Sequence, residues 1–227
     1  MISKRTVITV DGHAGSGKTT LSRLLAKRLN YCHFSSGLLY RGLGLLAKAN
    51  HVDVHNSEDL IKLLKTHNLE IRSDTEKRSV LYLDGEAQLE SKVQEPAISE
   101  AASILSVYPD LREALIPFQR EAFPENDIVA EGRDMGTVVF PDAPLKFFIE
   151  VDVETRVRRR MAQLGNTSQI TADEIRKEIY ERDKRDSERE YAPTKAASDA
   201  LHIDNSTASL EDVLANMENE ALKRGLK

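Results

Sequence analysis

Gly12-His13-Ala14-Gly15-Ser16-Gly17-Lys18-Thr19 meets the phosphate-binding pattern G-x-x-x-x-G-K-[ST] at every specified position. It lies between a β-branched run, Thr6–Val10, and an amphipathic segment, Lys18–Asn30, whose Leu21, Leu24, Leu25 and Leu29 share one face. A strand feeding a glycine-rich turn that opens a helix is the setting this chemistry needs. The glycines let backbone N–H groups curl around phosphate oxygens, and the helix N-terminus adds partial positive charge. Gly12, His13, Ala14, Gly15, Ser16, Gly17, Lys18, Thr19 and Thr20 are therefore the candidate nucleotide cradle. Lys18 is placed to reach the β and γ phosphates of a nucleoside triphosphate, and Thr19 to offer its hydroxyl to Mg²⁺.

Working outward, strand-like and helix-like segments alternate. Leu38–Asn50 and a segment opening at Ser57 read as helices, while Leu69–Arg72 and Ser79–Leu83 read as two short strands, the second leading into an Asp84-Gly85 turn. Pro96 and Pro109 suit the first turns of helices near Ala97–Leu105 and Asp110–Glu121. Asp127–Ala130 and Leu145–Ile149 read as further buried strands, and Leu201–Ile203 as a last strand. Asp152 is positioned to cap an arginine-rich helix, Gly165–Ser168 reads as a loop, Thr171–Glu174 has the form of a capping box, and Ser209 precedes a terminal helix. The alternation predicts an α/β three-layer fold, a parallel sheet flanked by helices, with the β-rich stretch as an insertion.

The 227 residues suffice for one sizeable core, and no apolar run approaches the roughly 20 residues that span a bilayer. The chain enters its first strand at once, so no signal peptide is expected. A single cysteine, Cys32, excludes an internal disulfide framework and suits a reducing, cytoplasmic setting. A formal net charge of −5 argues against a general nucleic-acid surface. No Asn-Lys-x-Asp guanine-reading motif and no Leu-Ser-Gly-Gly-Gln transporter motif occur. A small-molecule kinase fits these exclusions.

Two clusters would carry the rest of the chemistry. Glu131-Gly132-Arg133-Asp134 follows a strand at its carboxyl end, where open α/β sheets bind ligands. Arg133 suits an anionic acceptor, and Asp134 suits the exocyclic amine of a base. Arg182, Arg185, Asp186 and Arg189 fall at i, i+3, i+4 and i+7 along one helical face. The stripe either faces phosphates or is a salt-bridged surface network, and spacing alone does not choose between them.

Taken together, Ser36-Gly37-x-x-Tyr40-Arg41, the run Gly132–Ala143 beginning Gly-Arg-Asp-Met-Gly-Thr, and Glu181-Arg182-Asp183-x-Arg185-Asp186-x-x-Arg189 resemble the bacterial cytidylate kinases, within the nucleoside monophosphate kinases. The resemblance spans essentially the whole chain. It implies a single P-loop kinase domain over residues 1–227, with an inserted monophosphate-binding subdomain at about 63–105 and a short lid at about 155–167. It also implies transfer of the γ-phosphoryl of Mg·ATP to CMP and dCMP. Carried over by position, Lys18 and the loop hold ATP; Arg158, Arg159 and Arg160 belong to the lid. Arg41, Arg133 and Arg189 grip the CMP phosphate; Ser103, Arg112 and Asp134 read cytosine; Arg182 and Asp186 contact the pentose, with Ser36 nearby. Lys18, Arg133, Arg182 and Arg189 are the expected catalytic cations. A monomer with no nucleic-acid or membrane partner is expected.

This chain departs from the family pattern at three places: Ser35 and Glu131 stand where aspartates are usual, and His13 where proline is. The competing expectations are a P-loop kinase for another acceptor, such as UMP or an alcohol with Glu131 or Asp134 as base, and a nucleotide-dependent switch module.

Overall fold

The structure is a computed structural model, described over residues 5–164 and 170–227. Five parallel strands form the main sheet in the order β2-β6-β1-β7-β8: β1 Val7–Gly12, β2 Cys32–Ser35, β6 Ile128–Gly132, β7 Leu145–Glu150 and β8 Leu201–Asp204. Every residue of β1 and β6 is buried, as expected of strands covered on both faces. One face is closed by α1 (Lys18–Leu29) and α9 (Leu210–Lys223), which pack Leu21, Leu25, Val213 and Met217 against Ile8, Val10 and Phe147. The other carries α2 (Gly37–Ala49), α3 (Ser57–Thr66) and α6 (Pro109–Arg120), with Leu39, Leu43, Leu60 and Leu111 against Phe34, Ile128 and Ala130.

The insertion forms a separate antiparallel sheet, β3 (Leu69–Ser73), β4 (Ser79–Leu83) and β5 (Glu86–Ala87), followed by α4 (Glu90–Val93) and α5 (Pro96–Leu105). The first residues of the stretch expected to be inserted, 63–66, are the last turn of α3. Leu69, Leu81 and Leu83 join the same apolar cluster as α2, so the insertion is seated on the main body. The seat is tight at Gly42, where an added Cβ would lie 2.5 Å from Leu69 Cδ1 and 2.9 Å from Leu81 Cδ1. Gly42→Ala is expected to lower unfolding free energy by about 1–3 kcal/mol in urea melts; an unchanged midpoint would refute the seating.

Capping chemistry sets the helix starts. Thr171 and Glu174 exchange the reciprocal bonds of a capping box at α8 (Ala172–Glu188), Ser209 accepts from Asp212 N, and Asp152 accepts from Thr155 N at α7 (Val153–Leu164). At α3 the cap is Asn56, one residue before Ser57, its side chain accepting from Asp59 N. The strands and helices lie within a few residues of expectation. Strands β2 and β5, short α4, and a π-helical turn at Met135–Val139 were not among the expected elements. The expected loop at 165–168 and the end of the expected lid fall outside the described residues.

Candidate active site

The phosphate loop joins β1 to α1 at the carboxyl edge of the sheet. Gly15 and Gly17 adopt φ of 74° and 84°, left-handed values that keep the loop curled and suit glycine. Lys18 is buried and its Nζ donates to His13 O at 3.0 Å within the loop. Burial, then the nearby Arg133 charge, pushes its ammonium down to about 7. Thr19 donates its hydroxyl to Glu131 Oε1 and Oε2 at 2.8 and 3.0 Å, and Thr20 lies exposed on the first turn.

Glu131 stands at the end of β6, and Ser35 Oγ donates to its Oε1 at 2.7 Å. Two of the family departures are thus in contact: a short residue at 35 faces a long one at 131. Burial alone would raise the Glu131 carboxyl, but Lys18, His33 and the hydroxyls of Ser35 and Thr19 outweigh it and hold it below the usual range. The third, His13, sets Nδ1 3.5 Å from Asp183 Oδ1, while Arg156 pairs with Asp183 Oδ2 at 2.6 Å and donates to Ala14 O at 3.2 Å.

Beyond β6 the chain makes the excursion Arg133–Asp134. Arg133 Nε donates to Asp186 Oδ2 at 2.9 Å, and Asp134 pairs with Arg112, reached from α6. Ser103, on α5, is buried, and its hydroxyl has no partner among the described residues. Arg112 lies 5.6 Å from the Tyr40 ring centroid. Arg41, on α2, donates to Val93 O at 3.2 Å, and Ser36, buried at the start of α2, lies beside Gly132.

Arg182 and Asp186 come from α8. Arg189 follows that helix in extended backbone, where Nε donates to Ala192 O at 2.6 Å. The even stripe expected along one face therefore divides. Arg185 turns to Glu100 on α5 at 2.8 Å, while Arg182, Asp186 and Arg189 turn inward. Burial, then the neighbouring Arg133, brings Arg182 down to about 10; burial lowers Arg189 and Arg41 as well. Asp186 goes the other way: burial would raise its carboxyl, but Arg133 and Arg182 hold it low. A carboxylate thus sits among cations whose mutual repulsion an anionic ligand would relieve.

On α7, Arg158 is exposed and bonds within its own helix to Thr155 Oγ1, while Arg159 donates to Asn205 O at 2.7 Å. Arg159 lies against the phosphate loop at Gly17, and Arg156, which the sequence reading did not single out among its neighbouring arginines, packs on it at Gly15 and Ala14. Asn205, whose Nδ2 donates to Ser16 O at 2.8 Å, was also missed, because nothing in the sequence links it to residue 16.

A hydroxyl and a carboxylate at the loop are hard oxygen donors, and Mg²⁺ ordinarily takes one or two such groups beside phosphate oxygens and water. Thr19 and Glu131 therefore fit an ion arriving with a nucleotide. Among the described residues no group of three or more His, Cys, Asp or Glu could hold a metal unaided, and no helix is long and apolar enough to cross a membrane.

A parallel sheet in this order, with a phosphate loop between β1 and α1 and arginines gathered over the carboxyl edge, defines a P-loop kinase. A crystal structure of an uncharacterized protein from Eubacterium ventriosum shares the fold, with a TM-score of 0.50 and 14% identity over 95% of this chain and 98% of that one. Residues 8–223 match the cytidylate kinase family, and the chain belongs to it. Cytidylate kinases of Pseudomonas syringae pv. tomato and Caldicellulosiruptor bescii are 40% and 36% identical to it, over 98% and 93% of both chains respectively.

Proposed function

We propose that this protein transfers the γ-phosphoryl group of Mg·ATP to CMP and dCMP, giving CDP or dCDP and ADP. The observation that carries this reading is the gathering of Arg133 and Arg182 near Lys18, with Arg41 near Arg133 and Arg182, Arg189 near Asp134 and Asp186, and Asp186 among these cations. Two polyanions brought together require cation density of this kind. Single-domain organisation over 1–227, with the insertion as acceptor subdomain and α7 as the start of a lid, is part of the proposal, as are a monomeric state and a cytoplasmic setting.

In this mechanism the loop amides and Lys18 hold the β and γ phosphates. Mg²⁺, held with Thr19 and through Glu131, would neutralise phosphate charge. Arg41, Arg133 and Arg189 hold the acceptor phosphate, whose oxygen is already anionic near neutral pH, so no general base is needed. That oxygen forms a bond to the γ phosphorus as the bond to the β–γ bridging oxygen breaks, and ADP carries the electron pair away. Arg182 and Lys18 stabilise charge on the equatorial oxygens during transfer. Arg156 and Arg159, anchored to the loop and to Asn205, are placed on the donor side; Arg158 would need to turn inward to join them.

Cytosine has an N4 donor and N3 and O2 acceptors, which match Asp134, Ser103 and Arg112 in kind. The pairing of Arg112 with Asp134, and a Ser103 hydroxyl without a partner among the described residues, support a polar base site assembled before ligand arrives. The test is ADP formation from Mg·ATP with CMP, dCMP, UMP, AMP or no acceptor. Stimulation by CMP and dCMP is expected. UMP stimulation alone would reassign the acceptor, and acceptor-independent slow hydrolysis would favour a switch. Asp134→Ala is expected to reduce the CMP-over-UMP ratio of kcat/KM by about 10- to 100-fold, with the KM for ATP nearly unchanged. An unchanged ratio would remove Asp134 from base reading.

A further inference from the structure

Asp11 is the last residue of β1 before the loop glycine, and it is only 4% exposed. A buried carboxylate normally needs a cation or several hydrogen bonds. Here Oδ1 accepts from Met135 N and Oδ2 from Gly136 N, both at 2.8 Å. Charge-assisted bonds to consecutive amides hold a segment firmly. Burial pushes the Asp11 carboxyl up to about 7 against the pull of these amides; the Asp134 charge adds to the rise and Lys18 opposes it.

The placement matters more than the strength. The backbone of Asp11 is in register with Gly132 on β6, while its side chain holds Met135 and Gly136. The two residues between, Arg133 and Asp134, are thus pinned on both sides by one residue, and the next residue along the chain opens the phosphate loop. We infer that Asp11 is a positioning residue that sets the acceptor clamp, Arg133 and Asp134, at a fixed offset from the phosphate loop. This rests on the acceptor role proposed above for Arg133 and Asp134. In-line transfer tolerates little error, since a misplacement of about 1 Å costs on the order of 100-fold in rate.

Gly136 offers a second handle. An added Cβ there would lie 2.9 Å from Thr9 Oγ1, 3.1 Å from Lys146 Cδ and 3.4 Å from Asp11 Oδ2. Gly136→Ala would push the segment off its seat while leaving the carboxylate in place.

Asp11→Asn and Gly136→Ala are each compared with the unaltered protein by amide hydrogen exchange without nucleotide, and by steady-state kinetics. Exchange at Met135 and Gly136 reads the tie whatever the acceptor proves to be, whereas absent CMP stimulation of the unaltered protein would count against the proposed reaction instead. Both variants should exchange at least 10-fold faster at these amides. Both should raise the KM for the active acceptor at least 10-fold, with the KM for ATP changed less than 3-fold. Unchanged exchange in Asp11→Asn would overturn the tie. Equal losses toward both substrates, tracking a fall in melting temperature, would reduce Asp11 to a structural role. If Asp11→Asn fails to fold, the KM split in Gly136→Ala decides.

Discussion

Lys18→Ala is expected to lower kcat by about 1,000-fold while leaving the Kd for CMP within 3-fold. The size follows from losing a preorganised cation at the phosphoryl group in flight, where a single such donor contributes on the order of 100- to 1,000-fold or more. The selectivity follows from the arrangement: the acceptor phosphate is assigned to Arg41, Arg133 and Arg189, none of which hydrogen-bonds Lys18. In the free protein the Lys18 ammonium donates to a loop carbonyl and is held near pKa 7 by burial and by Arg133. A base depressed in this way is largely neutral at pH 8, and the arrival of phosphate charge restores the ordinary preference for the protonated form. Mg·ATP binding at pH 8 should therefore take up close to one proton, falling toward zero below pH 6, where Lys18 is already charged. Calorimetry in buffers of different ionisation enthalpy reads this uptake, and Lys18→Ala should abolish it. A variant with kcat within 10-fold of the unaltered protein would remove Lys18 from transfer.

The features readable from the sequence share a cause: each is local. The phosphate loop is a contiguous pattern, and its neighbours announce themselves by apolar runs that are buried on both sides in β1 and β6. The capping box at Thr171 and the cap at Ser209 are likewise short-range chemistry, satisfied within one turn. What sequence spacing could not reveal is long-range pairing. Helical periodicity places Arg185 beside Arg182, but tertiary contact with Glu100 draws Arg185 away, and the helix ends before Arg189. Among the α7 arginines, spacing gave no reason to prefer Arg156, whose partners lie at residues 14 and 183. Asp11 reads as one polar residue at the end of an apolar strand; its partners lie 124 and 125 residues away. The π-helical turn has no distinct sequence pattern, and in the structure it begins where Asp11 takes up the Met135 and Gly136 amides. Ser35 and Glu131 illustrate the same point, since two separate departures in the sequence become one hydrogen-bonded pair.

Arg182→Met should make the protein more stable and nearly inactive. Burial and the charges of Arg133 and Arg41 bring the Arg182 guanidinium down to about 10, so the folded protein holds this charge at a cost at every pH near neutrality. The sign is unambiguous: a base whose pKa is lower folded than unfolded opposes folding below its folded pKa. Arg182 is partly exposed and solvent screens part of the repulsion, so the relief is set at about 1 kcal/mol, or about 2–4 °C in melting temperature for a chain of this size. Methionine keeps the apolar stem without the charge. Asp186 keeps its bond to Arg133, so the substitution leaves no orphaned carboxylate. The same repulsion is what an incoming phosphate relieves, so removal of Arg182 should lower kcat by about 100- to 1,000-fold. Inorganic phosphate should raise the melting temperature of the unaltered protein more than that of the variant. Arg182→Lys, which retains charge without the planar fork, should recover part of the rate. A variant that melts lower, or keeps kcat within 10-fold, would show that α8 carries Arg182 for packing. The opposite pair of results would place the cost of this cation in the free protein and its benefit in the transition state.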